Sequence, residues 1–348
     1  MHGMTTYFIR RILLIPVTFI AITFMVYAIL RMVPGGPIEQ AELQIKMAAM
    51  QEGGAGAALE ETGDIQIPEE AMKELKEYYQ LDKSIPVGYI IWLKNILKLD
   101  FGRSYVYGEP VLKVIVSKFP ISIYFGLIGY FATWLVCIPL GVSKALKHKS
   151  MYDTATSVTV FLGYSIPGFV ACLILLVLFG GGTYWDIFPL GGFRSENWEQ
   201  LSFFAKVADQ LWHTAIPVFG YLIGGFATMT ILMKNSLLDN LGADYVRTAF
   251  AKGLPEKRVI FIHAMRNSLI PITAGIGHAI GLLFAGSFLI EKTCNIPGMG
   301  LLGYMSIIQR DYPIIMGTLV FLVLIRLTGN ILSDIAWAII DPRIRFEK

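Results

Sequence analysis

The residues able to do chemistry are few, and most lie inside or beside long apolar runs. Arg326, Asn330 and Asp334 recur at every fourth position of one such run. That spacing puts them on one face of a helix. Charge at membrane depth is costly and faces a cavity or a partner, so the stripe either lines a transport path or an interface with another chain, or closes on itself as an internal charge-paired cluster. Glu291 precedes the segment NIPGMG, in which Pro297 and Gly298 start a Pro-Gly-x-Gly turn. Such a turn forms a re-entrant or capping loop where protein buries it, giving either an outer gate or a plain turn. No Walker A pattern, H-E-x-x-H, G-x-S-x-G or C-x-x-C occurs. The five histidines have no ligand spacing, and His278, in an apolar run, is a hydrogen-bonded packing residue. Cys137, Cys172 and Cys294 are odd in number and suit no metal site, so they too are packing residues. The chain is expected to have no catalytic site, no metal and no cofactor of its own.

A third grouping is DYVRTAFAKGLPEKRVIFIHAMRNSLIP, from Asp244 to Pro271. Asp244 is suited to cap a helix over 245–252. Gly253 takes the left-handed conformation that ends it, and Leu254-Pro255-Glu256 opens a second helix with proline at its first position. The first helix offers Ala249, Phe250 and Ala251, an aromatic knob between small residues, a surface that docks into a groove on another protein. The alternative is a basic loop that only satisfies the charge rule for membrane topology.

These residues must be positioned by membrane helices. Of 348 residues 55% are hydrophobic and 16% charged, against about 25% charged in soluble domains. A bilayer core of about 30 Å takes roughly 20 apolar residues per helix, and six runs meet that length: 12–31, 120–143, 154–180, 214–233, 269–291 and 313–339. Arg10 and Arg11 precede the first run, which is too long for a signal-peptide core and lacks a cleavage site, so it is an uncleaved span. Pro139, Pro167, Pro217 and Pro271 in or beside spans are tolerated where neighbours satisfy the freed carbonyls. Gly220/Gly224 and Gly277/Gly281 permit close helix contact. Basic residues gather before the first span (Arg10, Arg11), between the second and third (Lys144, Lys147, Lys149), between the fourth and fifth (Lys234, Arg247, Lys252, Lys257, Arg258, Arg266) and at the end (Arg343, Arg345, Lys348). All four segments fall on one side of a six-span chain, which places both termini in the cytoplasm. The net charge of +3, with no basic tail, gives no reason to expect nucleic acid.

Residues 32–119 then lie outside. Within them 38–68 are Glu-, Gly- and Ala-rich and expected to be flexible. Pro68-Glu69-Glu70 starts a helix well. Tyr89 to Leu99 (YIIWLKNILKL) is an amphipathic segment for the membrane surface or for the bundle. Tyr184, Trp185 and Trp198 suit an interfacial belt.

The 244–271 segment resembles the EAA-type coupling loop of binding-protein-dependent ABC importer permeases, in the form typical of the oligopeptide/dipeptide branch. Gly253 matches, while Arg247, Thr248 and Ala249 stand where the general pattern has Glu-Ala-Ala. The resemblance covers nearly the whole chain: YFIRRILLIPVTFIAITFMVYAILRMVPGGP, LDKSIPVGYIIWLKNILKLDFGRSY, NIPGMGLLGYMSIIQRDYPIIMGTLVF and DPRIRF are similar to landmarks of the B-type subunit. The 38–68 insertion with FPLGGF, LWHTAIPV and MKNSLLD is similar to the Yej-type branch, whose importers take up microcin C-like peptides.

The resemblance implies an all-α polytopic protein of the type I ABC importer permease fold in a bacterial inner membrane. Residues 1–31 would be a first transmembrane helix, 32–119 a periplasmic insertion, and 120–348 a five-helix core with a cytoplasmic coupling loop at 240–268. It further implies a second homologous permease, an ABC ATPase (one fused chain or two) carrying ATP and Mg, a periplasmic or lipid-anchored binding protein, and a peptide substrate. The coupling residues would be Arg247, Thr248, Ala249, Phe250, Ala251, Lys252, Gly253 and Leu254. An ion-coupled transporter is the competing reading, with Arg326 as its midplane charge; it would have no use for a docking loop.

Overall fold

The computed structural model describes residues 2–33, 82–181, 184–273, 284 and 286–340. The readings of 38–68, Pro68-Glu69-Glu70, Gly277/Gly281, His278 and the closing DPRIRF fall outside them. The described residues are mainly helical, with no β-strand among them. They form two compact units, one of Met1–Ile12, Lys118–Leu302 and Leu324–Lys348, the other of Leu13–Ser117 and Gly303–Val323.

Among the described residues four helices are long and apolar enough to cross a membrane. They lie in α1 (His2–Met32), α3 (Val111–Leu146), α6 (Phe203–Leu241) and α13 (Tyr312–Ile340). They cover four of the expected spans, and α3 and α6 run well beyond the expected limits. Proline stays inside three of them, at Pro16, Pro120, Pro139 and Pro217.

The run 154–180 is not one straight helix. It is α4 (Met151–Ser165) and α5 (Gly168–Phe179), bent by 91°. Pro167 is the cause. It lacks an N–H, and its ring pushes the preceding residue to extended backbone; Ile166 accordingly has φ −96°, ψ 116°. The turned α5 packs directly on α6. A Cβ on Gly168 would strike the carbonyl oxygen of Gly220, and one on Gly220 would strike the sulfur of Cys172. Of the pair Gly220/Gly224, only Gly220 makes this close approach; nothing lies within 4 Å of a Cβ at Gly224. Cys172 and Cys294 join Phe125, Leu176, Ile216 and Ile290 in one buried cluster, and all three cysteines are buried free thiols. Of the run 269–291 the described residues give the ends, α10 (Ile270–Thr273) and α11 (Phe288–Thr293).

In the second unit α2 (Ile85–Leu97) lies against α1 with Val87, Ile90 and Leu97 left exposed. The Tyr89 hydroxyl is 2.9 Å from Thr23 Oγ1 and donates to the Ile20 carbonyl at 3.2 Å. Tyr89 packs edge-on to Phe24 and Tyr27 and stacks with Trp92. The helix starts four residues earlier than the apolar segment because Pro86 fits its first turn. The following loop is pinned by Asp311, which is fully buried. Its carboxylate accepts from the Ser104 hydroxyl and, at 3.3 Å each, from the backbone N–H groups of Tyr105 and Val106.

Overpacking a close helix contact costs about 1–3 kcal/mol. Gly168→Leu is therefore expected to lower the melting temperature of the detergent-solubilised protein by several degrees. Gly224→Ala should leave it unchanged.

Candidate functional site

Beyond α6 the chain turns into α7 (Asp244–Ala251), a helix of eight residues. The extended residue before it is Ala243, not Asp244, and no side chain caps it. Asp244 is instead the first helical residue, 3.6 Å from Arg247; its negative charge there suits the helix dipole. The C-terminal expectation holds. Gly253 has φ +75°, its N–H donates to the Phe250 carbonyl at 2.9 Å, and the Leu254 N–H donates to that of Ala249 at 3.4 Å. This is the Schellman pattern, which needs a left-handed residue at that place. Pro255 is the N-cap of the next helix, not its first helical residue, with ψ 140°.

The second arm continues as α8 (Glu256–Arg258), a π-helical segment Val259–Ala264 and α9 (Met265–Ser268). The wider π turn puts Val259, Ile260, Ala264 and Ser268 inward and Phe261 and Ile262 outward. Ser268 and Ser236 exchange hydroxyl-to-carbonyl bonds at 3.2 and 2.9 Å, tying this arm to α6.

The two faces of α7 differ sharply. Val246 and Ala249 are 1% and 7% exposed and join a core with Val142 and Ala145 of α3, Met233 and Leu237 of α6, and Val259 and Ala264. Leu254 packs partly buried against the same core. Ala249 is thus not part of the outer surface that its neighbours suggest; it fastens the helix from beneath. Tyr245, Arg247, Thr248, Phe250, Ala251, Lys252 and Gly253 are exposed. The i, i+3 pair Val246/Ala249 was the sequence signal for the buried side.

A charged pin that the sequence did not reveal holds the same end of the unit. Lys144 and Lys234 count as link charges by position, yet Lys144 is 1% exposed and lies within α3. Asp153, in the first turn of α4, receives Lys234 Nζ on both oxygens at 2.8 Å and Lys144 Nζ at 3.0 Å. Lys144 also donates to the Asp153 carbonyl, Thr156 and Ser157 at 2.8–2.9 Å. Ser150 caps α4 by accepting the Asp153 N–H at 3.2 Å.

The stripe on α13 separates. Asp334 forms an ion pair with Arg11 of α1, and Tyr7 donates to it at 3.3 Å. Arg11 also donates to the Asn330 carbonyl at 3.3 Å. Asp334 therefore follows the internal-pair reading. Arg326 does not join them; it is exposed.

Glu291 organises its surroundings. Its side chain is 1% exposed and accepts from the N–H of Leu301 at 2.7 Å, that of Ser287 at 3.3 Å and the Ser122 hydroxyl at 3.4 Å. Ser122 in turn accepts the Met299 N–H at 2.7 Å. A Cβ at Gly286 or Gly298 would collide with the Glu291 carboxylate. The segment 286–301 is thus wrapped around one carboxylate, and Gly298 is required by contact. Pro297 lies in the turn between α11 and α12 (Met299–Ile308).

The model of the family described as binding-protein-dependent transport system inner membrane component matches residues 137–346. The inner membrane ABC transporter permease protein YejB of Escherichia coli O157:H7 is 39% identical over 99% of this chain and 100% of its own length. The peptidoglycan transport system permease protein YejB of Agrobacterium fabrum is 35% identical over 99% of each chain. The oligopeptide transport system permease protein AppB of Bacillus subtilis is 33% identical over 99% of this chain and all of its own.

A buried N–H left without an acceptor costs about 1–3 kcal/mol, and local opening is read by amide exchange. Glu291→Ala is therefore expected to speed exchange at Ser287 and Leu301 by roughly tenfold or more. Exchange in α7 should not change.

Proposed function

Because the chain belongs to the family of binding-protein-dependent transport system inner membrane components, we propose that it is the permease subunit of an ATP-driven importer that passes peptides from a binding protein to the cytoplasm, microcin C-like peptides included. The observation that carries this reading is α7 itself. It has one face sunk into the core of α3 and α6, and the other is exposed with an aromatic knob at Phe250. The names of similar proteins support the substrate class, oligopeptide for one and dipeptide for another, while a third is named for peptidoglycan transport.

In this reading the face of Tyr245, Arg247, Thr248, Phe250, Ala251 and Lys252 docks on an ABC ATPase, which holds the ATP and Mg. Ala249, Gly253 and Leu254 shape that face from beneath and from its end. A companion permease completes the path, and a periplasmic or lipid-anchored protein delivers the peptide. The chain crosses the inner membrane six times with both termini in the cytoplasm, and residues 32–119 form a periplasmic insertion. The bent α4–α5 pair counts as one crossing, and the run 269–291 supplies another. Glu291, Pro297 and Gly298 form the outer gate, while Asn330 and Asp334 hold the helix that carries Arg326.

Transport then follows from linkage. Closing the ATPases moves the docked helices only if the docking energy differs between the outward- and inward-facing states. A helix fastened by its own core transmits that difference to α3 and α6 instead of absorbing it.

Phe250→Glu places a charge at the centre of the docking face without touching the core under it. Affinity purification of the variant is expected to retain the companion permease and lose the ATPase. ATP-driven peptide uptake in proteoliposomes should fall at least tenfold, the scale of a lost central anchor. A wild-type chain that brings down no ATPase would contradict the assignment.

A further inference from the structure

The turn between α3 and α4 carries more positive charge than the protein neutralises. It stands at the α7 end of the molecule, since Val142 and Ala145 of α3 share one core with Val246 and Ala249. Between residues 144 and 153 the only carboxylate is that of Asp153, and it is buried. Its oxygens are already occupied. Lys144 lies 3.0 Å from them, Lys234 2.8 Å and His148 Nδ1 3.4 Å, and the backbone N–H of Lys149 donates at 3.2 Å. Two lysines on one aspartate leave a positive excess. Lys147 and Lys149 add two exposed charges, and among the described residues no carboxylate pairs with either. Lys147 Nζ is held 4.7 Å from the centroid of the Tyr152 ring. That contact orients the ammonium without neutralising it.

A lysine at the end of a helix is ordinary in water, where it faces the negative pole of the helix dipole. The neighbours of this turn belong to another setting. Leu146 is 44% exposed and Met151 84%, and Met151 begins a stripe. Met151, Ala155, Val158 and Leu162 follow one another at helical spacing, so they share one face of α4, and all four are exposed. Asp153 and Val160, on the opposite face, are buried. The stripe carries no charge and runs for about 16 Å at 1.5 Å per residue, close to half of a bilayer core of about 30 Å. Beyond it the chain turns away by 91°. A face one leaflet deep, uncharged along its length and basic at one end, has the polarity of a phospholipid.

We propose that the turn at 146–152 binds the phosphate of an anionic phospholipid whose acyl chain lies along the exposed face of α4. A chain on that face brings its headgroup to Lys147 and Lys149. The phosphate supplies the negative charge that the turn lacks, with several acceptor oxygens for two ammonium groups. Basic residues at the membrane surface select anionic lipid in this way, and the apolar stems of the lysines lie along the acyl boundary while their charges stay in the headgroup layer. A zwitterionic lipid carries its own cation and leaves the excess in place.

The test uses the assembled importer, stripped of lipid in detergent and titrated with dioleoylphosphatidylglycerol or dioleoylphosphatidylcholine. Native mass spectrometry counts the lipids retained. The wild type is expected to hold phosphatidylglycerol in preference. K147Q/K149Q should weaken that binding by roughly thirtyfold, the scale of two lysines at a membrane surface, and leave phosphatidylcholine unchanged. K147R/K149R should keep it, and V158E, with both lysines in place, should lose it. Neither lysine belongs to the core or to the α7 face, so K147Q/K149Q is expected to copurify the companion permease and the ATPase at wild-type yield. Equal phosphatidylglycerol affinity in wild type and K147Q/K149Q overturns the proposal. So does a wild type that prefers neither lipid, or displacement of the lipid by millimolar inorganic phosphate, which would make free phosphate the ligand. Loss of the companion permease or the ATPase from K147Q/K149Q would assign the turn to that protein and overturn the proposal as well.

Discussion

The burial of Val246 and Ala249 beneath α7 decides which surface this segment of the membrane protein presents outward. A helix of eight residues is not stable alone, since nucleation costs more than so few hydrogen bonds return. It exists because its inner face fills a core shared by α3, α6 and the returning 259–264 segment. Burying one valine stabilises by roughly 1.5–3 kcal/mol. The Schellman turn at Gly253 then fixes the angle at which the chain comes back. The folding of α7 and its attachment to α3 and α6 thus have one cause. The packing that makes α7 a helix also joins it to the membrane helices.

Buried carboxylates do the complementary work of fixing helix ends. Asp153, Glu291, Asp311 and Asp334 are each at most 9% exposed, and each accepts from several donors. Asp153 and Asp334 are paired with cations, while Glu291 and Asp311 are held by N–H and hydroxyl donors. A buried polar group needs such partners, so each of the four imposes a geometry on its neighbours. Asp153 joins α4 to Lys144 of α3 and Lys234 of α6. Glu291 closes the 286–301 segment around itself. Asp311 holds the 104–106 turn. Asp334 ties α13 to Arg11 of α1. Apolar packing by itself would let helices slide; these pins set the register.

Much of this was legible in the sequence, and the failures have physical causes. Apolar runs announce spans because the bilayer imposes a length, and among the described residues four appear as single long helices. The break at Pro167 escaped that reasoning because hydropathy is blind to direction and prolines elsewhere stay inside helices, as at Pro139 and Pro217. The end of α7 was readable from Gly253, where backbone conformation dictates residue type. Its start lies one residue before the place the sequence indicates, since Ala243 carries no capping signal. Ala249 lies on the buried face although composition suggests a knob between small residues; its spacing from Val246 marks the buried side. Lys144 and Lys234 passed for loop charges because charge alone does not show that an aspartate waits in the next helix.

The central claim is that α7 moves as one body with α3, α4 and α6. It is tested most directly by the distance between spin labels at Asp244 on α7, outside the proposed docking face, and Met151 on α4, both exposed, measured by pulsed dipolar spectroscopy in the assembled importer. The account predicts a narrow distribution with the same mean in the nucleotide-free and ATP-trapped states. A distance that broadens or shifts by several ångströms, on the order of one helical turn, would show that the docking helix flexes on its base and would contradict the lever.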